Sequence, residues 1–453
     1  MLKKKNKLEI IRITIVILML CFSSHANACD IAVVTALASS DNRPFIWKSR
    51  DHSPSYKQQM QYFKATSSDV GGCIFVYEKK GSNSFVCSGG ANEAGFSIAQ
   101  TSVYDGIAYN EAVNANSRIC IEALEQCTSI KNFEGLLDIW HKKNPSRSIS
   151  GNFVVIDALG GAALYECWTG SSVSYSNRIS YYKIDANTGI KTYKKKKDDP
   201  IEIYEEKKEI GFIVRTNSNT FHDGIGEDRQ KRAYELMKKM AEDGQLNYQN
   251  FMEKITKEVV NPDIEIDEKT KYNNLKSISR SATRFAMVIE GVKKGDNPHM
   301  TTMWCNLGEP SIGVFTPHFP HSKAVSFYAW ADKFDKNGFP VDKEGSCFLN
   351  DAFDKRETFQ KLIYSSNRGS GNSMNDSTIN LIELGKLQKW TFPLEKTILN
   401  NTKIFKKFLK ENNTSLTSKT LFAFSHYCAE YAYTNYINES ANHTKWNYSL
   451  PVE

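Results

Sequence analysis

Long apolar runs are scarce in this 453-residue chain. The longest extends from about Ile10 to Phe22, which is too short to span a bilayer comfortably. No later window offers roughly 18 unbroken apolar residues, the length of a membrane helix. We therefore expect no membrane-spanning segment.

A large excess of one charge and a metal-binding motif are also missing. The chain has 58 Lys and Arg against 51 Asp and Glu, and 53 against 50 without its first 28 residues, a net charge of +3. So small a charge gives no reason to expect a nucleic-acid partner. No CxxC pair occurs, and His318 and His321 in PHFPH show no zinc spacing, so we expect no metal or other cofactor.

What is present at the start of the chain is a processing signal. MLKKKNKLEIIRITIVILMLCFSSHANA has a lysine-rich beginning, an apolar centre and a small-x-small box, Ala26-Asn27-Ala28. That order is typical of a secretory signal peptide. We expect signal peptidase to remove residues 1–28, and the mature protein to be periplasmic or extracellular.

Cleavage after Ala28 would make Cys29 the first residue of the mature chain. One residue would then carry a thiol and a free α-amine, which titrates near pH ~8 and can exchange protons with the thiol. Two alternatives are a cysteine that merely follows the cleavage box and a non-catalytic lipoprotein acylated at Cys29. Lipoprotein boxes usually carry Leu where this chain has Ala26.

The remaining apolar pattern predicts an α+β fold. Hydrophobic residues make up 40% of the chain, enough for a large core. The predicted strands are DIAVVTAL, PFIWKSRD, CIFVYEKK, SFVCSGG, GFSIAQTSVY, the hairpin NFVVIDALGGAALYECW, EIGFIVRTN, TTMWCNL and IGVFTPHF. The predicted helices are SRICIEALEQCTSI, FEGLLDIWHK, EDRQKRAYELMKKMAED, SRSATRFAMVIEGV and most of 354–436. Hairpins alternating with helices predict layered antiparallel sheets covered by helices.

Eight cysteines remain besides Cys21 and Cys29, an even number in a chain predicted to reach an oxidising compartment. We expect disulfides among them, with the pairing left open. Cys73 and Cys87 flank a predicted hairpin that would bring them together. The eight are Cys73, Cys87, Cys120, Cys127, Cys167, Cys305, Cys347 and Cys428.

WKSRD ends the strand that is predicted to pair with the Cys29 strand. Asp51 would then lie beside the α-amine and accept a hydrogen bond from it. A cysteine exposed by cleavage, followed by a hairpin that ends in such an aspartate, resembles the cysteine N-terminal nucleophile (Ntn) hydrolases. These include choloylglycine hydrolases, penicillin V acylases and acyl-CoA:6-aminopenicillanic acid acyltransferases. Lys48 stands where the bile-salt enzymes have a substrate-contacting arginine.

Three further motifs follow in the order of this superfamily. GGANEAGFSIAQTS resembles its Gly-x-Asn-Glu-x-Gly turn, and the next strand places Ser102 where an oxyanion-hole Asn or Tyr is usual. VRTNSNTF resembles the stretch whose Asn stabilises the tetrahedral intermediate, which is Asn217 here. SISRSATRF resembles the helix start whose arginine lies near the sulfur, which is Arg284 here.

The resemblance implies a four-layer αββα sandwich over 29–345, with a mainly helical part, 346–453, packed on the same domain. It implies an amidohydrolase that cleaves a linear amide of a small N-acyl substrate through a thioester on Cys29. An acyltransferase of the same mechanism and an N-terminal-cysteine dipeptidase are the alternatives. The substrate and the oligomeric state stay open. Candidates for an apolar acyl pocket are Phe45, Trp47, Tyr104 and Trp168. The alternative is that they are core residues, as aromatic residues in strands more often are.

Overall fold

The structure of the protein is a computed structural model. It describes residues 29–52, 58–80, 84–103, 109–143, 149–167, 181–194, 202–205, 210–219, 222–260, 271–273, 276–326, 360, 363–364, 378–412 and 415–438. The predicted signal peptide, Tyr104, Trp168 and Cys347 lie outside these residues.

Two antiparallel sheets form the centre of the fold. The six-stranded sheet has the order β12-β1-β2-β16-β17-β18 and the nine-stranded sheet the order β11-β10-β9-β8-β7-β6-β5-β4-β3. Two short ribbons, β13-β14 and β15-β19, complete the described strands. The strands are β1 Cys29–Val34, β2 Phe45–Asp51, β3 Gln58–Lys64, β4 Gly72–Lys80, β5 Ser84–Asn92, β6 Ser97–Ser102, β7 Gly151–Ile156, β8 Ala162–Cys167, β9 Tyr181–Asp185, β10 Ile190–Lys194, β11 Glu202–Glu205, β12 Phe212–Arg215, β13 Asn217–Asn219, β14 His222–Ile225, β15 Lys271–Asn273, β16 Thr283–Glu290, β17 Thr302–Leu307, β18 Thr316–His318 and β19 Thr378–Asn380.

Helices cover the outer face of each sheet. The α-helices are α1 Tyr109–Gln126, α2 Ile130–Lys143, α3 Glu227–Glu242, α4 Tyr248–Asn250, α5 Leu381–Glu411 and α6 Ser418–Asn438. A π-helical segment, Phe251–Ile255, follows α4, and single 3-10 turns occur at Pro298–Met300, Pro310–Ile312 and Pro320–Ser322. Helices α1 and α2 pack on the nine-stranded sheet, whereas α3 to α6 pack on the six-stranded sheet.

Side-chain alternation divides the core into three layers of apolar contact. Ile31, Val33 and Ile46 point inward and meet Ile74 and Val154 of the other sheet. The alternate residues of β1 and β2 point outward into the core formed with α3 to α6. A third cluster fills the space between the nine-stranded sheet and helices α1 and α2. The layer order α-β-β-α confirms the predicted fold class.

One predicted helix is wrong. SRSATRFAMVIEGV contains β16, a central strand that pairs with β2 on one side and β17 on the other. All eight residues of Thr283–Glu290 are buried. A strand buried on both faces shows no polar alternation, so its continuous apolar run does not distinguish it from a buried helix.

The eight cysteines of the described residues are all buried, and none of them forms a disulfide bond. The predicted β4–β5 hairpin is present, but Cys73 lies opposite Asn92 and Cys87 opposite Tyr77. The two thiols are therefore four positions out of register, so the hairpin does not bring them face to face. The predicted disulfides do not occur among the described cysteines.

Membrane-spanning helices and metal-binding clusters are both absent from the part of the chain that the structure describes. No helix there combines the length and the apolar character needed to cross a membrane. No group of three or more His, Cys, Asp or Glu side chains in that part is arranged to hold a metal ion. His318 of the PHFPH stretch is buried, and its Nε2 lies 2.9 Å from the hydroxyl of Thr316.

Candidate active site

The β1–β2 hairpin brings Cys29 and the WKSRD segment together. Cys29 lies opposite Arg50, and Ile31 lies opposite Lys48. Because side chains alternate along a strand, Cys29, Lys48 and Arg50 share the inner face of the sheet, and Asp51 belongs to the outer face. The predicted hairpin is confirmed.

Asn217 holds the backbone nitrogen of Cys29. Cys29 N donates to Asn217 Oδ1 at 2.7 Å, and Asn217 Nδ2 donates to the carbonyl oxygen of Ser102 at 2.6 Å. Asn217 is fully buried, and Cys29 is 8% exposed. The carboxamide thus links β1 of one sheet to the end of β6 in the other, and the first residue of β1 is fixed at that junction.

The position of Asn217 is set by its two neighbours. The carbonyl oxygen of Thr216 accepts from Thr101 Oγ1 at 2.7 Å and from Asn152 Nδ2 at 3.1 Å. Asn152 Nδ2 also donates to the carbonyl oxygen of Ser218 at 2.8 Å. A buried asparagine on β7 therefore clamps the backbone on both sides of Asn217, a role that the sequence alone did not indicate.

Lys48 is the long side chain next to the thiol. It is 1% exposed, and it lies diagonal to Cys29 in the β1–β2 ladder, on the same face of the sheet. Burial lowers the pKa of Lys48, because the ammonium form loses its hydration; the nearby Cys29 opposes this shift. The resemblance implies a substrate contact at this position, and the strand register places Lys48 on the same face as Cys29.

Arg50 reaches from β2 across to the nine-stranded sheet. Its Nη2 contacts Glu78 Oε2 at 2.7 Å and its Nη1 donates to Ser88 Oγ at 2.9 Å. Glu78 also accepts from Gln58 Nε2 at 3.3 Å. The ion pair is buried, so it fixes the distance between the sheets close to Cys29.

Asp51 lies one residue beyond the position opposite Cys29, on the outer face. Thr283 Oγ1 donates to its Oδ1 at 2.7 Å, and Arg280 Nη2 contacts its Oδ2. The carboxylate is 1% exposed. Its two oxygens therefore hold the start of β16 and the arginine before it.

Arg280 interacts electrostatically with Cys29. Burial lowers the pKa of its guanidinium, while Asp30 and Cys29 raise it. Arg284 instead directs its Nε to the carbonyl oxygen of His52 at 2.7 Å, from a β-bulge between Thr283 and Phe285. Sequence reasoning named Arg284 as the arginine near the sulfur and gave no indication of Arg280, four residues earlier.

Two of the aromatic candidates for an acyl pocket, Phe45 and Trp47, lie on the face of the sheet opposite to Cys29. Phe45 and Trp47 belong to the outer core of the six-stranded sheet, with ring centroids 5.3 Å and 5.2 Å from that of Phe251. Both are core residues in this fold, which is the more common role of aromatic residues in strands.

Comparisons with protein-family models and with curated proteins found no match. Several solved structures are similar at low identity. A Caenorhabditis elegans N-acylethanolamine-hydrolyzing acid amidase ortholog is 12% identical, with a TM-score of 0.32, over 58% of this chain and 92% of that one. Penicillin V acylase from Agrobacterium tumefaciens is 13% identical, with a TM-score of 0.31, over 64% and 86%. A variant of conjugated bile acid hydrolase from Clostridium perfringens is 11% identical, with a TM-score of 0.33, over 70% and 100%.

TM-scores this low carry no inference about function. The kind of site is therefore argued from the residues of this chain. Cys29 begins an inner strand of an α-β-β-α sandwich, and its nitrogen is bound by Asn217. In these two features the chain resembles the cysteine Ntn hydrolases.

Proposed function

We propose that this chain is an exported amidohydrolase that cleaves a linear amide bond of a small N-acyl compound. In this proposal signal peptidase removes residues 1–28, and the freed Cys29 is the nucleophile. The observation that carries the proposal is the bond from the Cys29 nitrogen to Asn217 Oδ1 at 2.7 Å. A buried amide oxygen aimed at that nitrogen would orient a terminal amine after cleavage.

The reaction has two halves. The sulfur attacks the amide carbonyl, its proton passes by way of the active-site amines to the departing nitrogen, and the acyl group stays on sulfur as a thioester. Water then attacks the thioester and releases the acid. An amine acceptor in place of water would make the same site an acyltransferase.

Two kinds of group would stabilise the charges that develop. Asn217 Nδ2 has a second hydrogen besides the one directed to Ser102, and with backbone N–H groups it would receive the oxyanion. Each such donor contributes roughly 3 kcal/mol in comparable acyl-transfer sites. Positive charge on Arg280, and on Lys48 once it is protonated, would stabilise the thiolate as it forms.

A substrate screen with two variants tests this proposal. The mature chain is assayed against N-acyl amino acids, conjugated bile salts, penicillin V and dipeptides. Turnover of an N-acyl compound that disappears in Cys29→Ala, with an unchanged circular dichroism spectrum, is the expected result. Cys305→Ala, which removes another buried thiol, should keep the activity. Full activity of Cys29→Ala would exclude the mechanism.

A further inference from the structure

Lys48 has an unusual setting for a lysine. It is among the largest fully buried side chains of the protein, and it lies on the inner face, diagonal to Cys29 in the β1–β2 ladder. Such diagonal neighbours lie within reach of a long side chain, so this register allows the Lys48 amine to approach the Cys29 sulfur. Among the described residues no carboxylate forms an ion pair with Lys48.

The charged and titratable groups around Lys48 come from three elements. Cys29 and Asp30 lie on β1, Arg50 lies on β2, and Cys120 lies on α1. Asp30 already pairs with Arg229 at 3.0 Å, and Arg50 with Glu78 at 2.7 Å. Burial raises the pKa of the Cys120 thiol well above its usual value. The thiol of Cys29 is thus the group left to exchange a proton with the Lys48 amine.

After cleavage two amines would lie near Cys29, the terminal amine and that of Lys48, and each suits a different task. A terminal amine with a pKa near ~8 is mostly ammonium at neutral pH, so it is a better acid than base. A lysine without water favours its neutral form and is a ready proton acceptor. An arginine at position 48 would stay protonated and would not accept a proton.

We propose that Lys48 Nζ accepts the proton of the Cys29 thiol before attack, and that the terminal ammonium protonates the leaving amine. This inference rests on the function proposed above. It makes Lys48 a catalytic base, a role that a substrate-contacting arginine does not have.

The protons balance over one cycle. Lys48 becomes an ammonium as the thiolate forms, the S–C bond forms, and the C–N bond breaks as the terminal ammonium gives its proton to the departing nitrogen. In the second half water gives a proton to the now neutral terminal amine, and its oxygen bonds to the acyl carbon. The S–C bond breaks, and the leaving thiolate recovers its proton from Lys48.

Alkylation of Cys29 measures the first of these steps without any substrate. The mature chain is treated with iodoacetamide from pH 5 to 10, and the Cys29 peptide is quantified by mass spectrometry. Other thiols should react slowly, since burial raises the pKa of Cys73, Cys120, Cys167 and Cys428 and raises that of Cys127 to about 12.

Three variants separate the possible outcomes. Lys48→Met should lower the Cys29 alkylation rate at pH 7 about tenfold, which corresponds to one pKa unit. Lys48→Arg should keep fast alkylation, because its charge favours the thiolate, but should lose turnover at least 100-fold. Lys406→Met, another buried lysine, which pairs with Glu290 at 2.8 Å, should leave the alkylation profile unchanged.

A chain with a blocked amine gives an independent test should Lys48→Met fail to fold. Cys29 preceded by one retained residue should still be alkylated at the wild-type rate, although turnover is lost. An unchanged profile in Lys48→Met, wild-type turnover in Lys48→Arg, or loss of reactivity on blocking the amine would each overturn the assignment. Fast Lys48-dependent alkylation without turnover of any substrate would instead count against the proposed amidase.

Discussion

Removing Arg280 should destabilise the protein more than the loss of one surface charge would. Arg280 Nη2 contacts the carboxylate of Asp51, whose side chain is 1% exposed. Arg280→Met leaves that carboxylate buried with only Thr283 Oγ1 as a donor, at 2.7 Å. Breaking a buried ion pair on one side costs about 3–5 kcal/mol, because the remaining charge is uncompensated. We therefore expect a loss of that size in the free energy of unfolding.

A double-mutant cycle isolates this pair. Asp51→Asn removes the carboxylate charge, so Arg280→Met should cost less stability in that background than in the wild type. The sum of the losses in the two single variants should therefore exceed the loss in the double variant by about 2 kcal/mol or more. Arg280→Lys is the matched control, since it keeps the charge. Urea unfolding followed by fluorescence gives the energies. A loss below about 1 kcal/mol in Arg280→Met, or strictly additive effects, would refute the pairing.

Three other variants test the supports of the site and the pH dependence of the fold. Asn217→Ala should lower kcat about 100-fold in a turnover assay, because the amine loses its acceptor and the oxyanion a donor; an unchanged kcat would contradict both roles. Asn152→Ala leaves the carbonyl oxygens of Thr216 and Ser218 without a buried donor, so we expect a loss of about 1–3 kcal/mol in urea unfolding together with a fall in kcat. Burial lowers the pKa of His318 to about 3, so between pH ~6.5 and that value only the unfolded chain takes up the proton, and stability falls by about 1.4 kcal/mol per pH unit as the pH drops. In His318→Gln the free energy of unfolding should fall less steeply over this pH range, by the contribution of one proton. An identical pH dependence in both proteins would show that the pKa of His318 is not lowered.

The fold was predictable where pattern and turn chemistry agreed. The hairpin of β1 and β2 and the two helices after β6 have clear periods and polar boundaries in the sequence. Strand β16 was misread because it is buried on both faces. The predicted helix start at Arg284 is wrong for the same reason, because this residue belongs to β16. It lies at a bulge in that strand, and its Nε donates to the carbonyl oxygen of His52.

The site was predictable only in part. Cys29 and Asn217 were identified from local motifs, and the structure brings them within 2.7 Å although 188 residues separate them. Arg280 and Asn152 carry no local signal, because their partners lie on other strands and only packing brings them together. The position of Lys48 beside Cys29 depends on the strand register and on burial by the second sheet, and the segment WKSRD alone predicts neither.

The most direct test of the central claim is the mass of the N-terminal peptide during turnover. The exported protein is mixed with an N-acyl compound that it hydrolyses, and the reaction is quenched in acid. The protein is then digested, and its N-terminal peptide is fragmented in a mass spectrometer. We expect a peptide that begins at Cys29 with a free amine, carrying the acyl group on sulfur as a hydroxylamine-sensitive thioester. A chain that turns over substrate while starting at another residue, with a capped amine, or with no acyl group on Cys29 would contradict the claim.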